Sequence, residues 1–136
     1  MYKLFDLKIL TPERTFFDGQ AEVLVLTVPD GQMAFLARHS PLIAPVEIGE
    51  LKIFADNEWR EAFTSEGFLE VTQKGVMVYV QACEWPEEID ERRAREALER
   101  AEEHLRQRQS IAEYQQSKIA LSRAMARLQV KNSYRQ

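Results

Sequence analysis

Four arginines in the last third of the chain have the type and spacing to hold a phosphate-bearing ligand. Arg93 lies three residues after Asp90, and Arg100 lies seven after Arg93. On a helix all three share one face. Arg123 and Arg127 are four apart, again on one helical face. If the two segments fold back on each other, four guanidinium groups converge, and guanidinium grips phosphate through paired hydrogen bonds. The competing reading is that these arginines are surface residues paired with Glu96, Glu99 or Glu103. Spacing alone favours that second reading. From Tyr114 onward there is no acidic residue, and Lys118, Arg123, Arg127, Lys131 and Arg135 give a local charge of +5. Such a run is a solvated helix face or a docking surface for an acidic protein or a polyanion; a membrane-lying helix fits less well, because the apolar face lacks Trp and Phe.

Other chemistry is sparse. His39 sits in Arg38-His39-Ser40-Pro41-Leu42 and His104 far away in sequence, so no base, nucleophile and orienting group can be assembled. Cys83 is the one cysteine, which excludes an internal disulfide and reads as packing at the end of the last strand. There is no glycine-rich phosphate loop of the Walker type and no zinc-ligand spacing. The pattern points away from an enzyme. A net charge of −4 argues against nucleic acid as the main partner. No run approaches the roughly 18 to 20 apolar residues of a membrane span, and the N-terminus lacks the basic-then-apolar pattern of a secretory signal.

The elements that must position these arginines change character near Pro86. All five glycines and all five prolines lie at or before that residue. Residues 1–86 carry 7 Lys and Arg against 13 Asp and Glu, whereas residues 87–136 carry 11 against 9, so the sign of the charge inverts at the same place. We therefore expect two domains, 1–86 and 87–136. In the first, short apolar or β-branched runs alternate with turn signals: Asp18-Gly19, Pro29-Asp30-Gly31, Ile48-Gly49, Asp56-Asn57, Glu66-Gly67 and Lys74-Gly75. That predicts a β-sandwich of about ten antiparallel strands, with the run from Ala21 to Thr27 central and a last strand over Val76–Cys83.

The second domain predicts an α-helical hairpin. One helix opens at an Asp90 N-cap and carries a stripe of Ala94, Ala97, Leu98, Ala101 and Leu105. The other opens with the capping box Ser110-Ile111-Ala112-Glu113 and carries Tyr114, Ser117, Leu121, Ala124, Met125 and Leu128. Burying a Leu or Met is worth about 1.5–3 kcal/mol, and ordering each residue costs about 1–2 kcal/mol. So thin a stripe predicts a hairpin that docks and undocks.

These motifs resemble one family. Pro29-Asp30-Gly31, His39-Ser40-Pro41-Leu42 and Ile48-Gly49, followed by Ile89-Asp90-Glu91-Arg92-Arg93-Ala94 and the Ala120–Leu128 stretch, are similar to the epsilon subunit of bacterial F-type ATP synthases of the ATP-binding kind. Gly31-Gln32-Met33-Ala34 and Ala37-Arg38 depart mildly from the usual family pattern. The resemblance covers essentially the whole chain and reverses the preference stated above for the arginines. It implies an ATP site at Glu84, Ile89, Asp90, Arg93, Ala94, Arg100, Arg123 and Arg127, with or without magnesium. It implies partner contacts at Gly31, Gln32, His39, Ser40 and Leu42. The expected partners are the gamma subunit, the c-ring and, through the helices, the alpha/beta catalytic hexamer. The implied role is a rotor subunit, peripheral on the cytoplasmic face of the bacterial membrane, that inhibits ATP hydrolysis and binds ATP when its tail is contracted. A free-standing ATP sensor and a helical adaptor indifferent to nucleotide are the alternatives.

Overall fold

A computed structural model describes residues 3–135. The first domain is a sandwich of two five-stranded sheets. One contains β1 (Phe5–Leu10), β2 (Thr15–Ala21), β5 (Leu42–Val46), β8 (Gly67–Thr72) and β9 (Gly75–Val80), in the order β2-β1-β9-β8-β5. The other contains β3 (Val23–Val28), β4 (Gly31–Phe35), β6 (Gly49–Ala55), β7 (Glu58–Thr64) and the two-residue β10 (Cys83–Glu84), in the order β10-β7-β6-β3-β4. Alternate residues point inward. Leu7, Ile9, Leu24, Leu26, Phe35, Leu51, Ile53, Leu69 and Val78 fill the space between the sheets almost without exposure. The strand expected to be central, β3, is flanked on both sides by β6 and β4.

The sandwich and hairpin expected from sequence are present, with local differences. All ladders are antiparallel except β1 with β9, which run parallel. Asp18-Gly19 is not a turn; both residues lie inside β2, paired with Lys8 and Leu7. The expected last strand is two strands. The chain leaves β9 at Val80, crosses between sheets at Gln81-Ala82, and pairs again as β10 with β7. The crossing is held by Ser65: its hydroxyl accepts from the Ala82 N–H (2.7 Å) and its own N–H donates to the Ala82 carbonyl (2.9 Å). Cys83 therefore opens a strand in the opposite sheet. Asp56-Asn57 does form the tight hairpin turn, with both residues at positive φ (52° and 63°).

The hairpin follows a short 3₁₀ turn at Pro86–Glu88 and comprises α1 (Glu91–Arg106) and α2 (Ile111–Tyr134). The Asp90 carboxylate accepts from the Arg93 N–H (3.1 Å), and Ser110 and Glu113 form the reciprocal capping box. Ala94 and Ala101 of α1, like Ser117 and Ala124 of α2, are seven apart and buried. Small residues at this spacing let helices pack closely. The apolar stripe expected on α2 is only partly realised, for Tyr114 and Met125 are exposed while Ala126 and Val130 are buried. The reason is geometric. α2 lies between α1 and the β6–β7 face of the sandwich, so it buries two faces and shows no single period. The second face meets the sandwich through Phe63, Ile89, Ala126 and Val130, with Ile48 and Ala82 alongside.

Gly67 sits where a Cβ would lie 1.9 Å from the Tyr79 carbonyl oxygen. The neighbour is backbone of the β8–β9 ladder and cannot rotate away. Gly67→Ala should therefore destabilise the sandwich by about 3 kcal/mol or more, seen as a lower urea midpoint; an unchanged midpoint would contradict this packing.

Candidate functional site

The basic run on α2 faces the chain's own acceptors. Arg123, Arg127, Lys131 and Arg135 recur every four residues and so line one face. Arg123 Nη2 donates to Glu66 Oε1 at 2.6 Å. Arg127 makes a bidentate pair with Glu84, Nε to Oε1 at 2.9 Å and Nη2 to Oε2 at 3.2 Å, with its guanidinium 4.4 Å from the centre of the Phe63 ring. Lys131 Nζ donates to the Pro86 carbonyl at 2.9 Å, and Arg135 pairs with Glu91. The face is partly exposed, yet each of its cations has an acceptor within the chain. Exposed ion pairs contribute about 0–1 kcal/mol each, whereas the bidentate, half-buried Arg127–Glu84 pair is stronger.

The linker is fastened separately. Arg14 donates to both carboxylate oxygens of Glu88 (2.6 and 2.8 Å) and to the Cys83 carbonyl (3.0 Å). Glu88 in turn accepts from the Trp85 N–H at 2.8 Å. The Trp85 ring stacks on Phe16 (4.3 Å between centroids), and the Arg60 guanidinium lies 3.6 Å from its centre. The hydrogen bond with Glu88 raises the Arg14 pKa and lowers that of Glu88. The hydrogen bond from Arg135 likewise lowers Glu91. Burial pushes the Cys83 thiol up to about 12, so it stays protonated and unreactive, in keeping with a packing role.

Between linker, α1 and α2 lies a cleft of about 360 Å³, lined by Glu84, Glu88, Asp90, Arg93, Ala94, Ala97, Arg100 and Arg127. Six of the eight residues expected for the site thus come together. Ile89 does not: it is 4% exposed and seals the core against Phe63 and Val130. Arg123 does not line the cleft either, being drawn to Glu66, and its Nε is buried without a hydrogen-bond partner. Arg93 and Arg100 are exposed, and neither guanidinium has an ion pair among the described residues. Other arginines hold some of the neighbouring carboxylates: Arg92 pairs with Glu96, Arg95 with Glu91 and Arg106 with Glu103. Arg93 and Arg100 thus stand exposed beside the cleft without an ion pair among the described residues.

Glu88, Ala97 and Glu66 were missed from sequence. Only Glu88 left a local sign, its place three residues after Trp85, the spacing of a side chain that caps a helical turn. Glu66 is 57 residues from Arg123 and left none. The expected partner contacts fall into two groups. Gly31 and Gln32 open β4, while His39, Ser40 and Leu42 follow its other end. His39 and Ser40 border a broader hollow of about 690 Å³ beside the β8–β9 turn, and the His39 ring tilts against Phe35 at 5.0 Å.

Chemically, the cleft offers uncommitted guanidinium groups for an anion and carboxylates for polar N–H or O–H groups on the same ligand. Among the described residues no cluster of three or more metal-ligating side chains occurs, and no helix is long and apolar enough to cross a membrane.

Two family models match. That of the ATP synthase delta/epsilon chain β-sandwich domain matches residues 4–86, and that of the delta/epsilon chain long α-helix domain matches residues 87–132. The ATP synthase epsilon chain of Caldanaerobacter subterraneus subsp. tengcongensis is 46% identical over all of this chain and 99% of its own length. That of Ruminiclostridium cellulolyticum is 45% identical over 96% of this chain and 98% of its own. Among solved structures, a chain of the Euglena gracilis mitochondrial ATP synthase is similar in fold, with a TM-score of 0.79 at 20% identity, covering 98% of this chain and 82% of that one.

Glu88 and Glu91 titrate below the ordinary carboxylate value of 4.5. A depressed folded pKa adds stability that is full above the unfolded value and is lost as pH falls through the folded one. Amide protection of α1 and α2 should therefore drop as the pH is lowered below about 4.5. Glu88→Gln with Glu91→Gln should be less protected at pH 7 and show a flatter acid dependence; an unaltered dependence would show that these two pairs do not hold the linker and the hairpin together.

Proposed function

The chain belongs to the delta/epsilon family of ATP synthase subunits, as an epsilon chain, and on that premise we propose that it is a rotor subunit whose hairpin acts as a nucleotide-sensitive brake on ATP hydrolysis. As an epsilon chain it is a non-catalytic subunit of the complex. The observation that carries the reading is the cleft itself, where docking of α2 brings Arg127 and Glu84 beside Arg93, Arg100 and Asp90.

In the docked state Arg93 and Arg100 supply charge for a triphosphate without giving up an existing pair. Arg127 exchanges part of its bond to Glu84 for phosphate, and Arg123, whose Nε lacks a partner, completes the set by turning from Glu66. Glu84 and Asp90 accept from adenosine amino or hydroxyl groups, Asp90 while capping α1. ATP, with or without magnesium, is the proposed regulatory ligand. In the undocked state the hairpin extends along the gamma subunit toward the catalytic alpha/beta hexamer. There the released cations of α2 meet acidic groups of the hexamer and oppose rotation in the hydrolysis direction.

The sandwich anchors the subunit in this reading. Ile43 (71% exposed) and Phe68 (48%), the latter stacked on Tyr79 at 4.9 Å, form an apolar patch that the hairpin leaves open. Such a patch suits a permanent protein partner, and we assign it to gamma. Gly31 and Gln32 at one end of β4, and His39, Ser40 and Leu42 at the other, are assigned to contacts with gamma and the c-ring. Through the ring the subunit sits on the cytoplasmic face of the bacterial membrane without entering it.

A ligand at a hundredfold excess over its Kd stabilises the state it binds by about 2.7 kcal/mol, whereas a full reversal of populations needs about 5.5 kcal/mol. ATP therefore biases the hairpin, and rotor position and the proton-motive force supply the remainder. Arg93→Ala with Arg100→Ala should weaken ATP binding to the isolated chain at least about tenfold, the loss of one charge-assisted contact or more, and leave the ligand-free unfolding midpoint unchanged; calorimetry showing wild-type affinity would refute the site. In the assembled complex, a chain ended after Ile89 keeps the linker fastened but lacks the brake. Its ATP hydrolysis should exceed that of the intact complex, and equal rates would refute inhibition by the hairpin.

A further inference from the structure

We propose that the cleft continues past Arg100 into an outer lobe that receives the terminal phosphate of the nucleotide, with Gln109 and His104 as the residues that distinguish a triphosphate from a diphosphate. This rests on the nucleotide reading of the cleft. A second cavity of about 420 Å³ lies between α1 and α2 toward their connecting turn, and it shares Ala97 and Arg100 with the first. The two adjoin along α1 at Ala97 and Arg100.

The order of chemistry along the groove gives the ligand a direction. The carboxylates Glu84, Glu88 and Asp90 lie at the linker end. Glu88 is taken up by Arg14 and Glu84 by Arg127, so Asp90 and the outer lone pairs of Glu84 are what face amino and hydroxyl donors of adenosine. Arg93, Arg100 and Arg127 follow, and beyond Arg100 the lobe is lined by His104, Gln109 and Gln116. The one carboxylate there, Glu113, is turned to the start of α2, where Oε1 accepts from the Ser110 hydroxyl (3.0 Å) and N–H (3.4 Å). That helix end also contributes a positive dipole. At 1.5 Å per residue, Arg93 and His104 are separated by about 16 Å along α1, a length suited to an extended nucleoside triphosphate.

Gln109 supplies an independent mark of a ligand. Its Oε1 accepts from the Ser117 hydroxyl at 3.5 Å, but Nε2 is buried with no hydrogen-bond partner among the described residues. A buried donor without an acceptor is a cost to the fold. A phosphate oxygen in the lobe removes that cost, and His104, one helical turn beyond Arg100, stands on the same side of α1.

The test is calorimetric titration of the full chain with ATP and with ADP. Gln109→Ala should lower ATP affinity about tenfold, the loss of one hydrogen bond to a charged group, while ADP affinity stays within about twofold. Gln109→Glu, equal in size but charged, should lower ATP affinity further and again spare ADP. Because Gln109→Ala removes an unpaired buried donor, its ligand-free unfolding midpoint should hold or rise, whereas a merely structural glutamine would lower it. Equal losses for the two nucleotides, or an unaltered ATP affinity in Gln109→Ala with His104→Ala, would overturn the outer lobe and leave the cleft standing. A wild-type chain that binds neither nucleotide would overturn both.

Discussion

The docked arrangement depends on a row of cations on one helix meeting acceptors on another part of the chain. Arg123, Arg127, Lys131 and Arg135 reach Glu66, Glu84, the Pro86 carbonyl and Glu91 in turn. Arg123 and Arg127 thus set positive charge of the second domain against carboxylates of the first, whereas Arg135 closes on Glu91 within the hairpin. Few large apolar groups support the clasp. Phe63, Ile89 and Val130 provide most of the apolar docking contact, with alanine alongside. Several partly exposed pairs acting together hold such a domain in place, yet each is weak enough to be exchanged for water, phosphate or another protein.

That balance gives the hairpin its character. Within it, α1 and α2 meet through Ala94, Ala101, Ser117 and Ala124, small residues that pack closely but bury little area. Below it, the linker is held by different means. Arg14 fixes Glu88, and Phe16 and Arg60 enclose Trp85. Everything up to Glu88 therefore belongs mechanically to the sandwich. Past Ile89 the connection is the clasp and the small apolar contact of Ala126 and Val130 with Phe63. The cleft lies where these two regimes meet, lined by Glu84 and Glu88 of the linker and by Arg93, Arg100 and Arg127 of the hairpin. Its arginines are of two kinds: Arg127 is already committed to the clasp, and Arg93 and Arg100 are not.

Much of this was legible in the residues. The loss of glycine and proline after Pro86 marked the change from sandwich to helix. Asp90 and Ser110-x-x-Glu113 marked the helix starts, and Asp56-Asn57 a hairpin turn, because caps and tight turns are satisfied by neighbours three or four positions away. The grouping of Arg93, Arg100 and Arg127 also followed from helical spacing once the hairpin was assumed to close. What only the tertiary structure decided has partners far apart in sequence. It sent Arg123 to Glu66, placed Ile89 under the hairpin, laid β1 parallel to β9, and moved Cys83 into the opposite sheet. It also gave α2 two buried faces, which hid Ala126 and Val130 from any single apolar period. Local hydrogen bonding writes itself into adjacent residues, whereas the choice among distant carboxylates of equal chemistry is made by which surfaces the packed core brings within reach.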